Sequence, residues 1–151
     1  MSQSGLALLL AALAAHNLQV KAQQAERVCL TEALYYEARG EGERGQEAVA
    51  EVVLDRVRSG RHPNSICGVV HEPHQFSFVD DGSMLRKRDP DAWADASDLA
   101  ARIIRGDVVT AMTRSAMFYH KANIRPRWAK ALVRTAQIGN HIFYQPRNRN
   151  R

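Results

Sequence analysis

A mainly α domain of α+β type, finished by one small β-hairpin, is the fold class this sequence predicts. Three observations carry it. Apolar residues recur every three or four positions over residues 26 to 39, 43 to 58 and 90 to 105, the spacing of an amphipathic helix. The stretch 59 to 88 holds Gly60, Pro63, Gly68, Pro73 and Gly82 and reads as loop with at most short helical turns or strands. In "ALVRTAQIGNHIFYQ" two β-favouring runs flank Gly139-Asn140, a dipeptide suited to a tight hairpin turn.

The first helix is predicted from Glu26, with Leu30, Ala33, Leu34 and Glu37 on one face and Gly40 as its stop. The second, Glu43 to Arg58, carries Val49, Val52, Val53 and Val57 as its apolar stripe and is broken by "SGRHPN". Glu43, Glu47, Glu51 and Asp55 recur every four residues on its other side, which reads as a solvated acidic face rather than a metal site. The third opens on Asp89 as cap and Pro90 at the first helical position, and closes at Gly106. An irregular stretch as long as 59 to 88 is usually functional in a compact domain.

With 151 residues, 45% of them hydrophobic, the chain is sized for one core. The expected division is an apolar N-terminal segment (1–25), a catalytic domain (26–146) and a basic tail (147–151). Twenty-one Lys and Arg against 16 Asp and Glu give a formal net charge of +5, which favours an anionic partner: nucleic acid, acidic polysaccharide, cell wall or membrane surface. No helix-turn-helix, zinc or RNA-binding signature accompanies that charge, so nucleic acid is not the expected partner.

"LALLLAALAA", Leu6 to Ala15, has the length of a signal-peptide apolar region and falls short of the roughly 20 residues of a membrane span. It reads as a cleaved signal, a membrane tether or a helix docking on the domain. Cys29 and Cys67 are either a disulfide or two buried thiols.

"YYEARGEGERG" holds two acids around an Arg-Gly pair. Glu37 follows Leu30 by one heptad, so its carboxyl points to the apolar side, and it sits in the last helical turn, where the helix dipole disfavours a carboxylate. Both effects raise its pKa, which suits a general acid for a glycosidic bond. Glu32, five residues earlier and ~140° around the helix, is expected to be an ordinary solvent-facing acid. The plain alternative for Glu37 is a surface ion pair with Arg39.

The segment "CLTEALYYEARGEGERGQEAVAEVVLDRVRSGRHPNSICGVV" resembles the cell wall hydrolase family typified by the spore-cortex-lytic enzymes SleB and CwlJ, with its pattern Y-x-E-A-R-G-E followed by G-Q-x-A-V-A-x-V-x-x-N-R-V. "QFSFVDDG", "AMFYHKANIRPRWA" and "IGNHIFY" extend the resemblance to roughly residues 28 to 145. Asp55 departs from it, standing where the family commonly has Asn.

The resemblance implies a lysozyme-like domain acting on peptidoglycan glycan strands, with Glu37 as its single catalytic acid. The implied reaction cleaves between N-acetylmuramic acid and N-acetylglucosamine, in several members as a lytic transglycosylase. Hydrolytic muramidase, N-acetylmuramoyl-L-alanine amidase and a non-catalytic wall-binding module are the alternatives. A hydrolytic glycosidase usually wants a second carboxylate, and beyond Glu41 and the pair Asp80 and Asp81 the sequence offers none. A transglycosylase uses the sugar's own hydroxyl, so Glu41 is ranked as support for loop structure or charge balance.

Gln75 and Ser77 in "QFSF" are candidate partners for sugar hydroxyl or acetamido groups, while Phe76 packs on a sugar face or plugs the core. The resemblance suggests that Tyr119 and His120 face the catalytic glutamate. His71 and His74 flank Pro73, which prevents a helical two-histidine zinc arrangement, and read as a loop pair. Trp128 stacks on a sugar or anchors the core. Family members often carry cysteines at the positions of Cys29 and Cys67, which implies a disulfide and agrees with an exported, periplasmic or envelope location, or release at phage lysis. No cofactor or metal is expected, and the chain is expected to act as a monomer, touching a membrane only through residues 6 to 15.

Overall fold

The computed structural model describes residues 3–86 and 88–147. Of the basic tail, only Arg147 falls within them. Among the described residues, five α-helices and a three-stranded sheet follow one another.

Helix α1 (Gln3–Ala38) is one unbroken helix, longer than the predicted 26–39 because Leu, Ala and Gln, all good helix formers, carry it back to residue 3 without an apolar stripe. Residues 3–25 are exposed apart from the half-buried Gly5, so the reading of this segment as a docking helix is corrected. The buried part begins at Cys29 and includes Leu30, Ala33, Leu34 and Ala38. The helix ends at Ala38 rather than Gly40: Ala38 leaves helical geometry at φ −136°, a 3-10 turn follows over Arg39–Glu41, and the left-handed residue is Gly42 at φ 69°.

Helices α2 (Gly42–Arg58), α3 (Ile66–Val70) and α5 (Pro90–Arg105) pack around the second half of α1. Helix α5 has the predicted bounds: Asp89 accepts from the N–H groups of Asp91 and Ala92, Pro90 opens the helix, and Gly106 closes it at φ 80°. Helix α4 (Ser77–Asp80) and a 3-10 turn at Ser83–Leu85 lie within the predicted loop, as short turns. The main core joins Leu30 and Leu34 to Val49 and Val53 of α2, Val69 and Val70 of α3, Phe76, Phe78, and Leu99 of α5.

Strands β1 (Phe118–Lys121), β2 (Val133–Ile138) and β3 (His141–Gln145) are antiparallel in the order β1-β3-β2. The predicted hairpin is β2-β3, turned at Gly139 (φ 54°) and Asn140, with an irregularity between Arg134 and Ala136. Strand β1 adds a third strand. A second cluster of Ala48, Val52, Ala116, Ile138 and Phe143 fixes the sheet to α2. Helix α2 therefore carries two apolar faces where one stripe was predicted: Val49 and Val53 look into the main core, Ala48 and Val52 toward the sheet.

Two acids expected in solvent are buried. Glu32 is covered by α3, and its Oε2 pairs with His71 Nε2 at 2.8 Å. Glu51 breaks the predicted acidic face because the loop after α5 folds back over it. Its Oε1 accepts from Thr110 Oγ1 and, at 2.9 Å, from the Met112 N–H, while its Oε2 accepts from the Thr113 N–H at 2.8 Å and from Thr113 Oγ1 at 2.7 Å. Glu43 and Asp55 pair with Arg102 and Arg58 instead. Each Glu51 oxygen faces a backbone N–H, Met112 on Oε1 and Thr113 on Oε2, so the amide group of Glu51→Gln meets a donor whichever way it turns. It is expected to cost about 2 kcal/mol of stability, measured as a lowered urea midpoint at unchanged slope.

Candidate active site

The apolar stripe of α1 runs out of core at its last turn, and there Glu37, half-buried, faces an open cavity of about 380 Å³. The end of α1 supplies Tyr36 and Glu37, the 3-10 turns supply Arg39, Glu41 and Ser83, and β1 supplies Lys121. Tyr119 of β1 donates its hydroxyl to Glu37 Oε2 at 2.9 Å. The Tyr119 ring is held edge-on to His141 at 5.0 Å and against Phe143 at 5.6 Å.

Burial raises the Glu37 pKa above its ordinary 4.5, and Asp81 adds to the rise; the Tyr119 hydrogen bond, Lys121 and Arg56 oppose it without cancelling it. The Tyr119 phenol is raised well above 10.0, first by burial and then by the Glu37 carboxylate. It stays protonated and so remains a donor to Glu37 across the working pH range. The sequence expectation for Glu37 is met in direction and in its first cause.

Glu41 shares the cavity wall but is committed elsewhere. It accepts from the Asn140 N–H at 2.8 Å and from Asn140 Nδ2 at 3.2 Å, and the backbone bond holds its pKa below 4.5. Gly139 turns the hairpin at φ 54°, a conformation that favours glycine, and a Cβ there would press on the flexible end of the Glu41 side chain. The structural reading of Glu41 fits these contacts. Asp81 accepts from the Ser83 N–H at 2.8 Å, and Asp80 faces His74 at 3.5 Å.

The remaining candidates separate. Phe76 is 2% exposed and belongs to the core, which corrects its reading as a sugar contact. The exposed Gln75 and Ser77 on either side of it do not line the cavity, because Phe76 and Phe78 anchor this segment by burying its other face. His120 is also corrected: side chains alternate along a strand, so with Tyr119 turned to Glu37, His120 faces the other way. Its Nε2 lies 2.9 Å from Tyr144 Oη, and its ring packs on Tyr144 and Trp128. Trp128, half-exposed, belongs to this outer group with Phe118 and Tyr144, away from the core. His71 and His74 are not a pair, since each serves its own carboxylate.

Cys29 and Cys67 form a disulfide. Among the described residues, one grouping of metal-ligating types, Cys29, Glu32 and His71, lies close together. The disulfide removes its thiolate, leaving two ligands, too few for a closed site.

Two buried residues beside the pair were not singled out from sequence. Arg56 is 4% exposed, donates from Nε to the Met117 carbonyl at 2.9 Å, and sets its guanidinium 5.4 Å from the Phe76 ring. It follows Val52 by four residues, so an arginine on an apolar helix face was the available signal. His141, 1% exposed, lies behind Tyr119, and burial lowers its pKa, which favours the neutral ring.

The family model for Cell Wall Hydrolase matches residues 40–144. The chain belongs to the cell wall hydrolase family. Family relatives include the spore cortex-lytic enzyme of Oceanobacillus iheyensis, 33% identical over 117 residues that cover 76% of this chain and 39% of that protein. The spore cortex-lytic enzyme of Bacillus subtilis is 36% identical over 115 residues, covering 76% and 35%. The chain thus spans about two fifths of the length of these curated relatives.

Solved family structures are similar over more of their length. The catalytic domain of the Bacillus cereus SleB protein aligns with a TM-score of 0.63 at 31% identity, covering 81% of this chain and 91% of that one. The catalytic domain of the germination-specific lytic transglycosylase SleB from Bacillus anthracis aligns at 0.67 and 32%, covering 81% and 95%. The fold is the mainly helical, lysozyme-like one that the sequence predicts. Glu37 lies three residues ahead of the matched family segment.

Proposed function

We propose that this chain cleaves the glycan backbone of peptidoglycan between N-acetylmuramic acid and N-acetylglucosamine as a lytic transglycosylase, with Glu37 as its single catalytic acid. The observation that carries the reading is a carboxyl group of raised pKa in an open cleft, hydrogen-bonded by a permanently protonated tyrosine, while the neighbouring carboxylates are occupied. The similarity to a lytic transglycosylase catalytic domain over most of both chains supports it.

The Tyr119 bond to Oε2 leaves Oε1 to carry the proton. Glu37 delivers it to the N-acetylglucosamine O4 as the muramic C1–O4 bond breaks. The resulting carboxylate then takes the proton from the muramic C6 hydroxyl as its oxygen bonds to C1. The product is a 1,6-anhydromuramic end, no water is consumed, and Glu37 finishes protonated as it began. A peptidoglycan substrate suits an enzyme that acts outside the cytoplasm.

Mass spectrometry of fragments released from purified peptidoglycan tests the assignment: anhydromuramic ends are expected. Reducing muramic ends would mean a hydrolytic muramidase, and free stem peptides an amidase. Activity is expected to fall as pH rises through the Glu37 pKa, since the acid must start protonated. Tyr119→Phe removes a bond that favours the carboxylate, so it is expected to move that alkaline limb to higher pH. A pH-rate profile with the limb unmoved or lowered contradicts this role for Tyr119.

A further inference from the structure

We infer that residues 3–20 stay on the chain and insert into a lipid bilayer, and that the unbroken helix from there to Glu37 holds the cleft at a fixed height above the membrane surface. Leu6, Leu8, Leu9, Leu10, Leu13, Leu18 and Val20 are 49 to 73% exposed. At 100° per residue these side chains, with the alanines between them, point to all sides of the helix. A protein groove would cover one side of such a helix and leave the rest wet; hydrocarbon covers every side.

Charge marks the boundary. No Asp, Glu, Lys or Arg occurs between Gln3 and Val20, His16, Asn17 and Gln19 gather toward one end, and Lys21 is the first charged side chain. Eighteen helical residues span about 27 Å, near the ~30 Å of a bilayer's hydrocarbon. Beyond Lys21 the helix is gripped by the domain: Glu26 accepts from the Ile66 and Cys67 N–H groups, and Arg27 donates to the Ser97 carbonyl and hydroxyl. No break separates this grip from the apolar part, since α1 runs through from Gln3 to Ala38. Sixteen residues from Lys21 to Glu37 set the cleft about 24 Å from the membrane boundary. An insertion parallel to the surface would need one polar face, which this segment lacks.

The full chain is mixed with phosphatidylcholine–phosphatidylglycerol vesicles and floated on a density gradient. Flotation is expected, with loss of the floated fraction in a Leu9→Arg, Leu10→Arg variant whose circular dichroism is unchanged. A dye on Leu85→Cys, 91% exposed beside the cleft, is expected to transfer energy to acceptor lipids at the separation that height implies. Four glycines inserted between Gln23 and Gln24 are expected to spread that distance. Protein left at the bottom of the gradient, a mature chain from cells that begins after residue 20, or a dye distance unmoved by the glycines would overturn the inference. Glycan cleavage is scored separately on soluble fragments, so failure here leaves the proposed reaction standing.

Discussion

Glu37→Gln is expected to lower the rate of glycan cleavage about 10³-fold, the scale of a lost general acid. The amide keeps the shape of the carboxyl and can still accept from Tyr119, but it has no proton of suitable acidity for the leaving O4. Stability is expected to move the other way. Burial raises the folded-state pKa of Glu37 above 4.5, so between 4.5 and the raised value the folded protein binds more protons than the unfolded chain. Stability then falls as pH rises through that window. Above it the carboxylate is a liability that the amide lacks, so the variant should melt at the same temperature as the wild type or higher at neutral pH. A variant that is inactive because it is unfolded, or one that keeps its rate, contradicts the role assigned to Glu37.

Replacing both Cys29 and Cys67 by Ala is expected to cost about 4 kcal/mol of stability, since the bridge closes a loop with sequence separation 38 and shortens the options of the unfolded chain. The bridge is not alone in tying α3 to α1, since Val69 and Val70 pack in one core with Leu30 and Leu34. Glu26 accepts from the first N–H groups of α3, and His71 just beyond its end pairs with Glu32. The variant should therefore still fold, with a lowered urea midpoint and a native-like spectrum. Alkylation of the native wild-type protein without reductant should add no mass. Two labelled thiols would count against the bridge.

Local chemistry made α5 legible to its ends: a cap, a proline at the first position and a glycine at the last lie within its own sequence. The phase of α1 likewise separated Glu37 from Glu41. What sequence reading missed depends on distant parts of the chain. Glu51 is buried by a loop about sixty residues downstream, and Glu32 by α3, five residues long, too short for periodicity to locate. His120 was grouped with Tyr119 because the two are adjacent, but strand alternation sends them to opposite faces, and only the packing of Tyr119 on His141 and Phe143 decides which one meets Glu37. The stretch ahead of Glu26 reads equally as a helix continuation or a linker, because exposed leucines carry no amphipathic stripe to decide it; it is helix.

In the proposed reaction one carboxyl group suffices because the sugar supplies its own nucleophile. Digestion of peptidoglycan in water enriched in oxygen-18, with mass spectrometry of the released muramic ends, distinguishes this from attack by water. Transglycosylation consumes no water, so the new ends should be anhydro and carry no heavy oxygen. Reducing ends that incorporate one oxygen-18 atom at C1 would show that water attacks, and would contradict the single-acid account.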